Sequence, residues 1–376
     1  MINRRTFSIG LGSILLAACS GGGTPATAPA SRMRAVPNAG WDAWVAGFKG
    51  RAASQGITQT TVNRAFQGAG YLPEVIERDR NQVEFKRSLE DYLAIAASDD
   101  RINTGKQMLQ RYDGTLSRIE SQYGVDKEVI VAVWGLESRY GARRGDVQVV
   151  SAVSTLAYDG RRGAFFEKQL VAALRIIQEG DTSPGNMTGS WAGAMGHTQF
   201  IPTSYLAYAV DFTGDGRRDI WSDDPTDSLA STAAYLARAG WVRGQPWGGE
   251  VGSVSGNPVA VLQPQTPGPR LAVFRNFQVI KRYNNSDSYA IGVGHLSDRI
   301  AGGRPFQASF GPDATGLTLE DRKELQRRLT AAGYDTQGAD GVIGNNTKSA
   351  ISGYQRANGL SVTGQPSVAL LQDLGG

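Results

Sequence analysis

The 376-residue sequence contains one cysteine, Cys19, and two histidines, His197 and His295. A single cysteine forms no internal disulfide and provides no thiolate zinc site. Two histidines are too few for most metallohydrolase centres, and a Ser-His-Asp triad would have to use one of them. Catalysis by this chain must therefore rely on carboxylates, hydroxyls and amides.

The sequence also lacks a strong charge of either sign. Its 39 basic and 35 acidic residues give a formal net charge of +4. Without Arg4 and Arg5 of the N-terminal segment, the chain has 37 basic and 35 acidic residues. This balance argues against nucleic-acid binding. The chain is long enough for two domains with hydrophobic cores.

The N-terminal apolar stretch, residues 9–18, is too short to span a bilayer comfortably. It follows a pair of arginines and ends in small residues before Cys19, a pattern that resembles a bacterial lipoprotein signal. We therefore expect a signal peptide over 1–18, lipidation at Cys19 and a flexible tether over 19–40. Ser20 favours a periplasmic protein anchored to the outer membrane. The alternative is an ordinary cleaved signal peptide, in which Cys19 is incidental.

The rest of the chain predicts a mainly α, α+β protein. Apolar residues recur at three- and four-residue spacing through a domain over 41–300. Valines interleaved with Gly, Ser and Pro predict a small β insertion at 248–280, with helix again from Tyr283 to Ile300. Gly and Pro residues predict a linker at 301–316. A module over 317–376 has three short helical segments, the first with a capping box at Thr318 and Asp321.

Glu137 follows an apolar run, 129–136, at a point where Gly and Arg residues interrupt the pattern. Apolar surroundings disfavour a charged carboxylate and raise its pKa, which suits a general acid near neutral pH. The alternative is a glutamate at the rim of a core helix that pairs with Arg139.

A second segment, 190–205, combines small residues with Gln, Ser, Thr and aromatic side chains. Small residues let the backbone approach a ligand, and the polar groups offer hydrogen bonds. The alternative is a tightly packed helix crossing.

Residues 134–138 and 193–202 together resemble the membrane-bound lytic transglycosylase B family, whose lysozyme-like members cleave peptidoglycan. Segments 158–162, 211–216 and 283–290 follow in the family's order, and the resemblance covers about 41–300. It implies that Glu137 protonates the β-1,4 oxygen between N-acetylmuramic acid and N-acetylglucosamine. The same residue then acts as a base on the muramic acid O6 hydroxyl, which forms a 1,6-anhydro ring.

This chemistry requires no cofactor and no protein nucleophile, because the attacking hydroxyl belongs to the substrate. A second protein acid is not excluded by the sequence, which is rich in Asp and Glu. Two alternatives remain open: a hydrolytic muramidase of the same fold, and an inactive scaffold that binds peptidoglycan.

The resemblance also implies substrate-binding residues. Ser190, Gln199 and Asn284 match positions that hydrogen-bond the sugar, although local capping is common for such residues. Tyr92 and Tyr289 are expected to line the cleft. Arg161 and Arg162 are expected to contact lactyl or peptide carboxylates, with a solvated turn as the alternative.

Residues 211–219 resemble the start of an EF-hand loop, which predicts a structural calcium ion. Ser222 occupies the position of the usual bidentate Glu, and Asp227 is the candidate replacement. The predicted ligand positions are Asp211, Thr213, Asp215, Arg217 and Asp227. The alternatives are an Asp- and Gly-rich turn without an ion, or a site for magnesium or sodium.

Residues 318–374 resemble the small three-helix peptidoglycan-binding domain. Such a module would hold the enzyme on its polymer and raise the local substrate concentration. The expected partners are therefore peptidoglycan and, through Cys19, a membrane. A bare helical appendage is the alternative.

Overall fold

The computed structural model describes residues 33–81 and 87–375. The predicted signal peptide, Cys19 and most of the tether lie outside these residues. The chain divides into two compact units. One, the Glu137 unit, contains the described residues of 25–83 and 104–244; the other, the C-terminal unit, contains those of 84–103 and 245–375. Along the described chain, no helix is both long and apolar enough to cross a membrane.

The described chain is mainly helical, as the sequence predicts. The helices are α1 (Ala39–Ser54), α2 (Gln59–Phe66), α3 (Pro73–Arg80), α4 (Leu89–Ala96), α5 (Asp99–Arg111), α6 (Asp113–Tyr123), α7 (Lys127–Ser138), α8 (Val149–Asp159), α9 (Gly163–Glu179), α10 (Pro202–Tyr208), α11 (Thr226–Arg238), α12 (Arg275–Tyr283), α13 (Asp287–Ile300), α14 (Leu319–Ala331), α15 (Asn345–Ala357) and α16 (Val368–Asp373). The strands are β1 (Val147–Gln148), β2 (Thr188–Gly189), β3 (Gly248–Glu250), β4 (Ala260–Leu262) and β5 (Leu271–Val273).

Helix α7 lies in the core of the Glu137 unit. Every residue from Val129 to Leu136 is buried, so the helix is apolar on all sides and is surrounded by other elements. Helices α6 and α11 pack against it. The apolar run recognised in the sequence therefore forms a central helix whose C-terminal turn carries Glu137.

The C-terminal unit contains the predicted β insertion as a three-stranded antiparallel sheet with strand order β3-β5-β4. The sheet ends at Val273, earlier than the predicted boundary at 280, because α12 begins at Arg275. Phe277 and Ile280 are buried on one face of this helix. Their three-residue spacing is helical, whereas the Val- and Gly-rich composition that indicated strands comes from the preceding residues.

The last three helices form the small C-terminal module. Its core contains Leu317, Leu325, Leu329, Ile351 and Leu370. The predicted capping box is confirmed, since the Thr318 side chain accepts from the Asp321 backbone and the Asp321 side chain accepts from the Thr318 backbone.

Arg322 joins this module to α4 within the C-terminal unit. Its side chain is 3% exposed, and its Nη2 donates to Glu90 Oε2 (2.8 Å) and Asp91 Oδ1 (3.0 Å). Its Nη1 donates to Asp313 Oδ2 (2.9 Å), and its Nε donates to the Gly341 carbonyl (2.8 Å). A buried guanidinium needs this many acceptors to offset its lost hydration.

Replacing Arg322 with Met should lower the free energy of unfolding by about 3–5 kcal/mol, because Glu90 would remain buried without its partner. Chemical denaturation measures this loss. Arg327→Met is the matched control, since Arg327 pairs with Glu324 at the surface (54% and 38% exposed) and should cost less than about 1 kcal/mol. Equal losses for the two variants would contradict the assignment.

Candidate active site

The C-terminal turn of α7 presents Glu137. Glu137 is half-buried, and the helix ends one residue later at Ser138. Arg139 (φ 50°) and Tyr140 (φ 57°) then adopt left-handed backbone conformations. Two successive non-glycine residues in this region carry conformational strain, which is a feature of functional sites. The helix therefore stops abruptly beside the carboxylate.

Two glycines allow the chain to fold back at this point. A Cβ on Gly135 would lie 2.6 Å from Tyr140 Cζ, so its absence makes room for the tyrosine ring against α7. Gly141 has φ 88°, and a Cβ there would lie 2.6 Å from His197 Nδ1. Gly135 is thus required by a close contact, and Gly141 by a close contact as well as by its left-handed backbone conformation.

The second segment forms a loop and not the packed helix crossing left open by the sequence. Met195 and Phe200 exchange two backbone hydrogen bonds, 2.9 and 3.0 Å long. The preceding strand β2 pairs with β1 in antiparallel fashion. Helix α10 begins only at Pro202. The small residues of this segment therefore serve tight turns.

Hydrogen bonds attach this loop to the end of α7. The buried Ser138 hydroxyl donates to the His197 carbonyl (2.5 Å) and accepts from the Gly141 amide (2.9 Å). Trp134 Nε1 donates to His197 Nδ1 (3.2 Å). The residues on either side of Glu137 are therefore held by the segment that the sequence identifies as the second motif.

His197 is a neutral structural residue. Because an indole N–H only donates, Nδ1 of His197 is the acceptor, and Nε2 carries the proton and donates to the Ser222 carbonyl (2.8 Å). Burial lowers the pKa of His197. Both ring nitrogens are thus engaged, and Ser138 bonds to the backbone carbonyl and not to the ring. This arrangement does not form a Ser-His nucleophile pair.

The other histidine lies in the C-terminal unit. His295 is 7% exposed and stacks on Phe306 with the ring centroids 4.0 Å apart. Burial lowers its pKa to about 4, so it is also neutral at ordinary pH.

Arg144 holds the turn that follows α7 in place. Its Nη1 donates to the carbonyls of Trp221 (3.0 Å) and Ser222 (2.6 Å), and its Nη2 pairs with Asp223 (2.7 Å). Its own carbonyl accepts from Gln199 Nε2 (3.0 Å). Arg144 thereby connects the turn after α7, the motif loop and residues 221–223.

Two predicted sugar-binding residues, Ser190 and Gln199, lie in the motif loop. The Ser190 hydroxyl accepts from the Ala194 amide (3.1 Å), which is the local capping that the sequence left as an alternative. Gln199 has φ 55° and uses Nε2 to bond the carbonyls of Gly196 and Arg144. Among the described residues, no donor bonds to Gln199 Oε1, so this atom can accept from a ligand. Their contacts with a sugar stay predictions.

The paired arginines occupy the turn before α9. Arg161 makes a bidentate pair with Asp79, which is 4% exposed, and so ties this turn to α3. The guanidinium of Arg162 lies 4.4 Å from the Phe165 ring centroid, and burial lowers its pKa. Both side chains have structural partners, and their predicted contacts with substrate carboxylates remain untested.

The remaining predicted contacts lie in the C-terminal unit. Tyr92 is a half-buried residue of α4, and Tyr289 of α13 is 1% exposed, inside the core of this unit. Asn284 follows α12, and its Oδ1 is buried without a hydrogen-bond partner among the described residues. An orphaned acceptor of this kind is uncommon. The approach of these residues to Glu137 stays a prediction.

Three of the predicted metal ligands converge. Carboxylate oxygens of Asp211, Asp215 and Asp227 lie within 4.8 Å of one another. Asp227 is 2% exposed, and burial raises its pKa, although its oxygens accept from the Phe212, Thr213 and Asp219 amides. These hard oxygen donors fit calcium.

The other two predicted ligand positions are engaged locally. Thr213 Oγ1 donates to Asp211 Oδ1 (3.3 Å), and the Arg217 amide donates to Asp215 Oδ1 (2.9 Å). Several further amides donate to the Asp211 carboxylate and lower its pKa against the opposing effect of desolvation. The loop is therefore organised around its acidic side chains.

Family models match most of the chain. A transglycosylase SLT domain model matches residues 40–260 and 252–298. The chain belongs to the transglycosylase SLT family. A peptidoglycan binding domain model matches residues 318–374, which are the C-terminal module.

Known relatives agree with this assignment. Membrane-bound lytic murein transglycosylase B of Escherichia coli (strain K12) is 34% identical over 234 residues, which cover 54% of this chain and 64% of that relative. SltB3 of Pseudomonas aeruginosa was solved with NAG-NAM-pentapeptide. It is 40% identical to this chain, with a TM-score of 0.70, and the match covers 90% of this chain and 100% of SltB3. Slt35 of Escherichia coli, solved with calcium, is 27% identical with a TM-score of 0.59, over 68% of this chain and 92% of that one.

Three residues that support the turn after Glu137 were not among the residues predicted from the sequence. Trp134, Ser138 and Arg144 position the turn after Glu137, yet none was predicted. Trp134 and Ser138 are four residues apart and share one face of α7, which is the signal that was available in the sequence. The role of Arg144 depends on carbonyls 77 and 78 residues away, and no local pattern shows it.

Proposed function

We propose that this chain is a lytic transglycosylase that cleaves the β-1,4 bond between N-acetylmuramic acid and N-acetylglucosamine in peptidoglycan. The cleavage is non-hydrolytic and leaves 1,6-anhydro-N-acetylmuramic acid ends. The observation that carries the proposal is the half-buried Glu137 at the strained end of α7, within a unit matched by the SLT domain model.

In the proposed mechanism, Glu137 acts twice. Its protonated carboxyl group gives a proton to the glycosidic oxygen as the bond from that oxygen to C1 breaks. The resulting carboxylate then takes the proton of the muramic acid O6 hydroxyl as O6 forms a bond to C1. The first step creates the base that the second step requires. Most glycosidases need a second carboxylate as nucleophile or base, whereas here the nucleophile belongs to the substrate.

The substrate assignment is supported by the relatives. SltB3 was solved with NAG-NAM-pentapeptide and with NAG-anhNAM-pentapeptide, and the latter contains an anhydro sugar. The C-terminal module, matched by a peptidoglycan binding domain model, would keep the enzyme on the same polymer. A substrate of this kind places the enzyme in the periplasm or elsewhere in the cell envelope.

Each unit, taken by itself, has polar atoms that are suited to bind a sugar. The Ser190 hydroxyl still has its proton to donate, and Gln199 Oε1 and Asn284 Oδ1 have no hydrogen-bond partner among the described residues. We assign them to sugar hydroxyls and amides, since a bound ligand would satisfy the buried Asn284 oxygen.

Glu137→Gln should reduce the digestion of purified sacculi by about 10²–10⁴-fold, because the amide can neither donate the proton nor recover it. Release of soluble fragments measures the rate. Glu128→Gln is the matched control, since Glu128 lies in the first turn of the same helix, and it should digest sacculi normally. Full activity of the Glu137 variant would exclude its role, and an inactive unmutated chain would favour a peptidoglycan-binding scaffold.

We further propose that Asp211, Asp215 and Asp227 hold a structural calcium ion, with the Thr213 and Arg217 positions completing the loop. The support is the convergence of three carboxylates on one point, with the buried Asp227 taking the part of the missing bidentate glutamate. The ion would stabilise the loop and take no part in the chemistry.

Millimolar calcium should raise the thermal midpoint, because a ligand that binds only the folded state stabilises it by about 2.7 kcal/mol at a hundredfold excess over Kd. Asp215→Asn should abolish the shift, and Asp224→Asn, in the neighbouring exposed turn, should preserve it. An equal shift with magnesium would argue against a calcium site, and no shift with either ion would favour a bare Asp- and Gly-rich turn.

A further inference from the structure

An open groove lies on the C-terminal module, along one face of α15. It has a volume of about 420 Å³ and is lined by Asn345, Lys348, Ser349, Ser352 and Arg356. Positions 348, 352 and 356 are each four residues apart, so their side chains lie in a row along the helix. All five lining residues are of polar types, and two of them, Lys348 and Arg356, are basic.

The charges of this groove differ from those on the neighbouring helix α14. The basic residues of α14 all have acidic partners, at distances of 2.7–3.0 Å. Within the described chain, Lys348 and Arg356 have no such partner. Two unpaired cations along one shallow, open surface favour an anionic ligand.

The backbone beside the groove is firmly held. Gln355 Oε1 accepts from the amides of Thr363 (2.9 Å) and Gly364 (3.0 Å). A Cβ on Gly364 would lie 2.8 Å from Ser352 Oγ, so the loop after α15 passes directly against the lining. Ser352 in turn donates to the Lys348 carbonyl (2.9 Å). A ligand would therefore meet a surface that is already ordered.

The spacing of the cations indicates the size of the ligand. Arg356 follows Lys348 by eight helical positions, a rise of about 12 Å at about 1.5 Å per residue. An extended peptide covers this distance in about four residues at about 3.3 Å each. A short peptide with carboxylates near both ends matches the two cations better than an uncharged glycan strand does.

We propose that this groove binds the carboxylate-bearing stem peptides of peptidoglycan, with Arg356 and Lys348 each holding one carboxylate. The inference rests on the proposed function and deepens it, because it separates the recognition of peptide by the module from the cleavage of glycan at Glu137. Wall attachment would then depend on peptide-substituted strands.

The test measures the binding of the full chain to intact sacculi. Every protein carries Glu137→Gln, which prevents digestion, and the chain with this change alone is the background protein. A second sample contains the glycan strands that an amidase releases from sacculi when it removes the stem peptides, immobilised on beads. Lys348→Gln/Arg356→Gln should bind intact sacculi about tenfold or more weakly, because two charge-assisted contacts are lost. Lys323→Gln/Arg327→Gln removes the same charge from paired residues of the same module and should bind within about twofold of the background protein.

On the immobilised peptide-free strands, the background protein and both double variants should bind equally and weakly. Equal binding of the two double variants to intact sacculi would overturn the groove assignment and leave the proposed cleavage reaction standing. Undiminished binding of the background protein to the peptide-free strands would also overturn it. If the background protein binds no sacculi at all, the proposed wall attachment fails together with the groove.

Discussion

The hydrogen bonds between the end of α7 and the loop that contains His197 are the interaction on which the candidate site depends. Ser138 and Trp134 flank Glu137 and bond to the carbonyl and the ring of one buried, neutral histidine. Because the backbone after Ser138 is left-handed at two non-glycine residues, it requires such support from its surroundings. These contacts hold the carboxylate at an abrupt helix end and keep it half-buried.

This arrangement explains why so few catalytic residue types are sufficient. Both histidines are buried and neutral, and the single cysteine lies outside the described residues. In the proposed reaction, one carboxylate supplies the proton transfers and the substrate supplies the nucleophile. The protein must therefore position this one carboxylate and control its surroundings. Gly135 and Gly141 serve this purpose, as do most of the other residues described near Glu137.

Local features of the fold were predictable from the sequence, and long-range contacts were not. Helical spacing, the Thr318–Asp321 capping box and the left-handed Gly180 that ends α9 are determined by neighbouring residues. The motif loop was ambiguous, because small residues suit both a tight turn and a helix crossing. Arg322 contacts Glu90, which is 232 residues away in the sequence, so no local pattern indicates this pair. A buried arginine in so small a module nevertheless needs hydrogen-bond acceptors from another part of the chain.

In the proposed reaction, no water takes part in bond cleavage. Digestion of sacculi in ¹⁸O-labelled water, followed by mass spectrometry of the first soluble products, tests it most directly. Because O6 of the substrate is the nucleophile, the expected products have 1,6-anhydro muramic acid ends without ¹⁸O. Reducing ends that carry one ¹⁸O atom each would contradict it and identify a hydrolytic muramidase.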